Sequence, residues 1–452
     1  HSFCFYVMHK NKKPGGKKVM TPAERSLVIL VAIMILYITE LIPLAVTAVG
    51  SCAAAVLFGV VPNKVAWGGL SSDTNLLIAG MVVVGLTLFE TGLAERIGKS
   101  IVGIAGDSEF RIMTALMLVT MVLSGFLNNT STTATMMPVL AGIIATSGGK
   151  LHEKFTMMPL AIAAVCGGML TLVGSTPTVI VQGIHVAAGL EPFGFFEFAI
   201  IGAPICVAFI IYNFTLGRWL SRKMYGANPQ RSDYMANMMK DMVADGADAE
   251  AAPAKDPKKQ VIAALILMAC VAGFVLADKD RFPLGTIAMT GALVCVITGC
   301  IGEKSVYRQM DWTTVLVLGG SIGFAAALDK SGGGKLLADT VLGLVGNAIT
   351  PFILMCLIAG LGVILTQFMS NTAATAMLAP VGIAMAQGLG VDPIPVGMAL
   401  AMASSASFST PVATPPMTLV LGPGGYRFFD YIKWGGRSEE HTSELQSLGR
   451  IS

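Results

Sequence analysis

Two uncharged polar tripeptides, Asn128-Asn129-Thr130 and Ser370-Asn371-Thr372, interrupt long apolar stretches of this chain. Downstream of them stand two loops of similar character, Gly174-Ser175-Thr176-Pro177-Thr178 and Ala413-Thr414-Pro415-Pro416. Ser124 and Thr366 each lie four residues before the first residue of a tripeptide, about one helical turn upstream. These groups bind rather than break bonds. Their amide N–H and hydroxyl groups donate to carboxylate or sulfate oxygens. A helix that begins at such a break adds its free N–H groups and the positive end of its dipole. Carbonyl, amide and hydroxyl oxygens are hard ligands that suit Na⁺, and broken helices expose such carbonyls. No HExxH, no paired intramembrane aspartates and no Ser–His arrangement accompany them, so an enzyme is not expected.

The missing charges sharpen this chemistry. Residues 112–149 and 340–391 contain no Lys or Arg, and His185 is the only potential cation between 155 and 196. Holding a divalent anion at mid-membrane against partial dipoles alone is electrostatically costly. Bound cations would neutralise it. Na⁺ is favoured over H⁺, because neither interrupted segment has a carboxylate to carry a proton.

The elements that position these groups are membrane helices. Apolar residues make up 54% of the 452 residues and charged residues 13%, against roughly a quarter charged in soluble domains. Mean hydropathy is +0.72. A span needs about 20 apolar residues. Candidates lie at 26–42, 44–62, 74–97, 155–187, 195–218, 261–277, 284–301, 312–328 and 395–410. The segments 112–148 and 340–390 are too long for one crossing and are broken by the tripeptides, which predicts re-entrant hairpins. Irregular backbone is tolerated at membrane depth only inside protein or beside a water-filled cavity. The lipid bilayer is the expected surroundings, and a cell membrane the expected location of a multi-pass protein. No basic, aromatic-interleaved patch points to nucleic acid. Seven cysteines in apolar stretches read as small buried hydrophobes.

Five regions follow. A basic head covers 1–25, a first transmembrane repeat 26–218, a hydrophilic linker 219–260 and a second repeat 261–436. The polar run 437–452 reads as a non-native tail, with the last helix of the second repeat missing and a start at Met8. Head and linker both attract a cytoplasmic assignment under the positive-inside rule, yet five spans separate them.

The halves repeat each other. Residues 129–138 align with 371–380 at a constant offset of 242, Thr176-Pro177 parallels Thr414-Pro415, and 195–198 parallels 428–431. Duplicated halves with interrupted apolar segments at matching positions point to a secondary transporter with its site at the interruptions. Polar residues joining helices by hydrogen bonds are the bland alternative, but such glue would not recur in order with a shared downstream proline. Glu40, Glu197 and Asp430 read as architectural, His152 as solvated and His185 as a satisfied interface residue; Glu90 or Glu95 is a partner for Arg96.

With these residues the chain resembles the divalent anion/sodium symporter family, the INDY-type dicarboxylate and sulfate transporters. The match rests on Thr39-Glu40-Leu41-Ile42-Pro43-Leu44-Ala45-Val46-Thr47, on the paired tripeptides and on the Thr-Pro loops, together spanning about 25–435. The resemblance implies an all-α polytopic membrane protein of two inverted repeats, with a scaffold, an elevator-type transport domain and a homodimer. It implies two or more coupling Na⁺ ions, one held by Ser124, Asn128, Asn129 and Gly174 and another by Thr366, Asn371 and Ala413. A small divalent anion, C4-dicarboxylate or sulfate, would lie between the tripeptides, beside Thr176, Pro177, Thr414 and Pro415. Asn128 replaces the family's usual Ser, which leaves dicarboxylate and sulfate both open. The alternative is a related transporter of citrate, arsenite or another anion, H⁺-coupled or working as an exchanger.

Overall fold

The computed structural model describes residues 20–97, 108–147, 151–226, 256–276, 281–345, 350–411 and 413–434, with a few single positions between. The expectations for most of the head, most of the linker and residues 437–452 fall outside these. Among the described residues there are helices and loops and no strand.

Prolines and small polar caps set the helix boundaries. Helix α1 (Pro22–Thr39) opens with a capping box between Thr21 and Glu24 and closes at Glu40, whose φ of 49° is left-handed. Pro43 then opens α2 (Leu44–Leu57). A short α3 (Asn63–Ala66) precedes α4 (Asp73–Glu90), capped by Ser72. The hairpin α5 (Glu109–Phe126) and α6 (Asn129–Thr146) follows. Next come α7 (Glu153–Gly168), α8 (Thr176–Ala187) and α9 (Ala199–Tyr212), the last continuing through a π turn into α10 (Arg218–Tyr225).

The second half retraces this order. It runs α11 (Pro257–Leu276), α12 (Leu284–Ile297), short α13 (Glu303–Gln309) and α14 (Trp312–Lys330). Then come α15 (Gly333–Val345), the hairpin α16 (Pro351–Thr366) and α17 (Asn371–Gly388), α18 (Pro393–Ser405) and α19 (Pro415–Leu419). Both interrupted segments are thus hairpins, with arms at 109–146 and 351–388. Two expected single spans are corrected: 155–187 breaks into two helices around residues 169–175, and 395–410 is helical only as far as Ser405, beyond which the backbone is irregular. Glycines, prolines and hydroxyl side chains there outweigh apolar composition. The linker is shorter than expected, since α10 continues to Tyr225 and α11 starts at Pro257.

Packing makes the repeats reciprocal. α2 packs on α14, and α12 on α4. A Cβ on Gly80 would lie 2.5 Å from the Ala288 backbone, and one on Gly320 would lie 2.6 Å from that of Ala48. Gly80 and Gly320, like Ala48 and Ala288, are 240 residues apart, so one contact occurs twice about a pseudo-two-fold. The equivalents α4 and α14 run antiparallel. Asp73 and Lys330 line one cavity, and Phe89 and Asp311 another. The repeats are therefore inverted. α1 begins where α14 ends, with Ser331 Oγ 2.9 Å from Ser26 Oγ. α11 begins where α4 ends, with Gln260 Nε2 donating to the Thr91 carbonyl at 3.1 Å. The starts of α1 and α11 accordingly lie at opposite faces.

Among the described residues six helices have the length and apolarity to cross a membrane. Leu57, Leu276, Ile297 and Phe368 are more than 80% exposed, a surface suited to lipid and not to water. α4 and α14 lie deep inside, while α1 and α11 lie at the edge. Around the hairpins the halves exchange segments again: α8 packs on α17 and α18, and α19 on α6 and α7.

Candidate functional site

The two hairpins enter from opposite faces. Hairpin α5–α6 is anchored at the linker face, where Arg218 pairs with Glu109 at 2.7 Å. Hairpin α16–α17 is anchored at the other face, where Gln387 Nε2 meets the Ala188 carbonyl that ends α8. Their tips meet inside the molecule. Asn128 caps α6 by accepting from Thr130 N at 2.8 Å, and Ser370 caps α17 by accepting from Ala373 N at 3.2 Å. α8 and the short α19 also begin at this level, and neither Ser175 nor Thr414 caps them with its side chain.

One cavity of about 320 Å³ collects these ends. Asn128, Asn129 and Thr130 line it, as do Ser370, Asn371 and Thr372. So do Gly174, Thr176 and Pro177 from one break, and Ala413, Thr414 and Pro415 from the other. Every residue expected to contact substrate is brought together here. Ser124 and Thr366 stand behind the cavity, fully buried, and each hydrogen-bonds the following asparagine. Toward the linker face the lining includes Phe89, Gln309, Asp311 and Thr314. Sequence reasoning missed this rim. Asp311 is its only charged lining residue, and its carboxylate is engaged with Thr314 N at 3.1 Å and Thr314 Oγ1 at 2.5 Å. Among the described residues no Lys, Arg or His lines the cavity.

Behind Asn129 the oxygens crowd. One end of its amide lies 2.6 Å from Ser124 Oγ, 3.0 Å from the Gly174 carbonyl and 3.1 Å from the Ala164 carbonyl. With its NH₂ turned inward the amide shares its two N–H groups among these three acceptors; turned outward, its oxygen joins theirs in a nest of hard neutral ligands. A Cβ on Gly168 would come within 2.3 Å of Asn129 Oδ1, and one on Gly174 within 2.7 Å of the Gly168 carbonyl. Only glycine permits this approach. Thr171, also missed, turns its hydroxyl to the Gly125 carbonyl.

The second half matches with different atoms. Thr366 Oγ1 donates toward Asn371 Oδ1 and the Ser404 carbonyl at 3.0 Å, and Thr410 Oγ1 donates to the Gln367 carbonyl at 3.0 Å. Ser404 and Ser407 bring buried hydroxyls without partners among the described residues. Ser175 Oγ and Ser405 Oγ, 2.9 Å apart, tie the breaks together. No cluster of His, Cys, Asp or Glu that could hold a metal occurs among the described residues, so both nests rest on neutral oxygen.

The remaining ionisable groups are mostly architectural. Glu197 Oε2 accepts from Gly194 N at 2.7 Å, and Asp430 Oδ2 accepts from Arg427 N at 2.8 Å, the same turn in each half. Glu40 ends α1. Arg96 bonds Gln260, while Glu90 takes Ser305 and Gln309. His152 is not a solvated loop residue: it caps α7 by accepting from Lys154 N at 3.2 Å. His185 is buried and stacks on Phe193 at 4.8 Å, but neither ring nitrogen is hydrogen-bonded among the described residues. Among the described residues six cysteines are buried and Cys356, expected to be buried, is exposed.

Comparison with known proteins agrees with this architecture. A family model described as a citrate transporter matches residues 34–403 and 351–434. An uncharacterized transporter of Haemophilus influenzae is 28% identical, covering 91% of this chain and 88% of its own. The sodium-dependent dicarboxylate transporter SdcS of Staphylococcus saprophyticus is 24% identical over 86% of this chain and 78% of its own. The crystal structure of the Alcanivorax borkumensis YdaH transporter superposes with a TM-score of 0.58 at 14% identity, covering 95% and 96% of the two chains. With its apolar spans, inverted halves and a family match over most of its length, the chain belongs to the citrate transporter family, a family of integral membrane transporters and not of enzymes.

Proposed function

We propose that the protein is a sodium-coupled symporter of a divalent anion, a C4-dicarboxylate or sulfate. One observation carries the reading: both tripeptides and both Thr-Pro loops line one cavity with no cationic side chain among the described residues. The N-termini of α6, α8 and α17 each present about half a positive charge, less than the two negative charges of such an anion. Asp311 at the rim adds to the deficit. The oxygen nests behind Asn129 and Asn371 supply cation sites that close it: Ser124, Asn128, Asn129 and Gly174 on one side, Thr366, Asn371 and Ala413 on the other. The name of the SdcS relative favours sodium and a dicarboxylate.

Both hairpins, with α7, α8, α18 and α19, would move as a transport domain against a scaffold of α1, α2, α4, α11, α12 and α14, in a homodimer. Citrate is the second reading, favoured by the description of the family model and by room for a larger anion in the cavity. The test is uptake of labelled succinate, citrate and sulfate into proteoliposomes, with Na⁺ and pH gradients varied separately. Uptake that follows the inward Na⁺ gradient supports the proposal. Undiminished uptake of all three with choline in place of Na⁺ defeats it, and dependence on the pH gradient alone moves the assignment to H⁺ coupling.

A further inference from the structure

A second, larger cavity of about 730 Å³ lies at the opposite face, where α1 begins and α14 ends. It separates α8 from the starts of α4 and α12 and the end of α14, and its charged lining is Lys64, Lys330 and Asp73. The contrast with the first cavity is one of sign. There the sole charge is an aspartate; here two ammonium groups face the space, and neither is in an ion pair among the described residues. Asp73 is engaged, since its Oδ1 accepts from Gly285 N at 2.9 Å where α12 begins. Gln182 is 3% exposed and lines the cavity. Its Oε1 accepts from Phe193 N at 2.8 Å, while its Nε2 has no acceptor among the described residues. An amide donor open to the same cavity as two lysines is an arrangement that an oxyanion completes.

Resting on the symporter reading above, we propose that this cavity is an anion-collecting vestibule: a weak, solvent-filled site in which Lys64, Lys330 and Gln182 gather carboxylate or sulfate oxygens at the face opposite the linker. α8 connects the two cavities, with Thr176 at one and Gln182, Gly183 and Val186 at the other. Charge in a low-dielectric cleft raises local anion concentration and on-rate by about 10- to 1,000-fold. The lysines therefore act on entry from one side and not on binding between the hairpin tips.

The experiment measures anion transport from each face of the full-length protein, in whole cells and in inside-out vesicles. A membrane-impermeant maleimide on Lys64→Cys identifies the face. In Lys64→Gln/Lys330→Gln, KM from that face rises about tenfold and loses most of its ionic-strength dependence. KM from the linker face stays unchanged, and Lys64→Arg/Lys330→Arg restores the low value. Gln182→Leu raises KM from the same face only. An unchanged KM, or an equal rise from both faces, overturns the proposal. So does an effect confined to vesicles containing anionic lipid and absent in phosphatidylcholine alone, which would assign the lysines to a headgroup. Parent protein that moves no carboxylate or sulfate at all would instead remove the symporter reading itself.

Discussion

The two halves of the central site share a frame and fill it differently. In the first, Gly125, Gly168 and Gly174 leave room for carbonyls to close on Asn129, and Ser124 is the nearby hydroxyl. In the second, Gln367 and Ala406 stand where Gly125 and Gly168 stand by the repeat offsets, and hydroxyls of Thr366, Ser404, Ser407 and Thr410 fill the region. The caps differ too, Asn128 against Ser370. The helix breaks are what the duplication preserved; the atoms around each asparagine were free to diverge. Under the proposed sodium coupling, two nests of different donors would bind cations with different strength, one mainly through backbone carbonyls and one mainly through side-chain hydroxyls.

The largest expected effect treats the halves as equal. Asn129→Ala and Asn371→Ala each reduce transport to background while membrane expression persists. Loss of expression in both would instead make the asparagines structural glue. Gly168→Ala separates the halves. Its Cβ would meet Asn129 at 2.3 Å, so sodium-driven uptake drops about tenfold or more, in line with the ~1–3 kcal/mol typical of overpacking. Ala406→Gly, the reverse change at the matching position, leaves uptake within about twofold, since removing a methyl there opens no clash. If both substitutions were equally harmful, the contrast between the nests would be gone.

Smaller effects come from the supporting hydroxyls. Ser124→Ala and Thr366→Ala each remove one hydrogen bond to an asparagine, worth about 1 kcal/mol, and raise the sodium concentration for half-maximal uptake about fivefold. Sodium titrations of the two variants show whether the sites are independent. The smallest effect lies outside the site. Burial holds His152 below its ordinary value, against the opposing pull of Glu153. The unfolded chain therefore takes up this proton first. Its contribution to stability is complete above about pH 6.5 and is lost as pH falls through the lower folded value. Protonation would also remove the Nδ1 acceptor that caps α7. His152→Asn keeps a cap and does not titrate, so its melting temperature declines less than the parent's from about pH 7 to about pH 5.

Much of the fold was legible because lipid imposes length and apolarity on each span. The repeat exposed both hairpins, and the four polar motifs converged on one cavity as their pairing implied. The break inside 155–187 and the early end of the helix in 395–410 were less legible, because Gly174, Thr176 and Ala406 sit in uncharged, largely apolar runs. Asp311 escaped notice for another reason. It belongs to the boundary of α14, far in sequence from either tripeptide, and reaches the site only because inverted packing lays the start of α14 beside the end of α4.

The amino-acid order alone determined the class of molecule, the duplication and the identity of its neutral oxygen donors. These depend on composition and local spacing, which the bilayer and the helix translate directly into structure. The tertiary structure decided which donors meet, which face each cavity takes and which charges remain unpaired. Those outcomes depend on close approaches such as Gly80 to Ala288 and Gly168 to Asn129, where a single absent methyl sets the distance between segments remote in the chain.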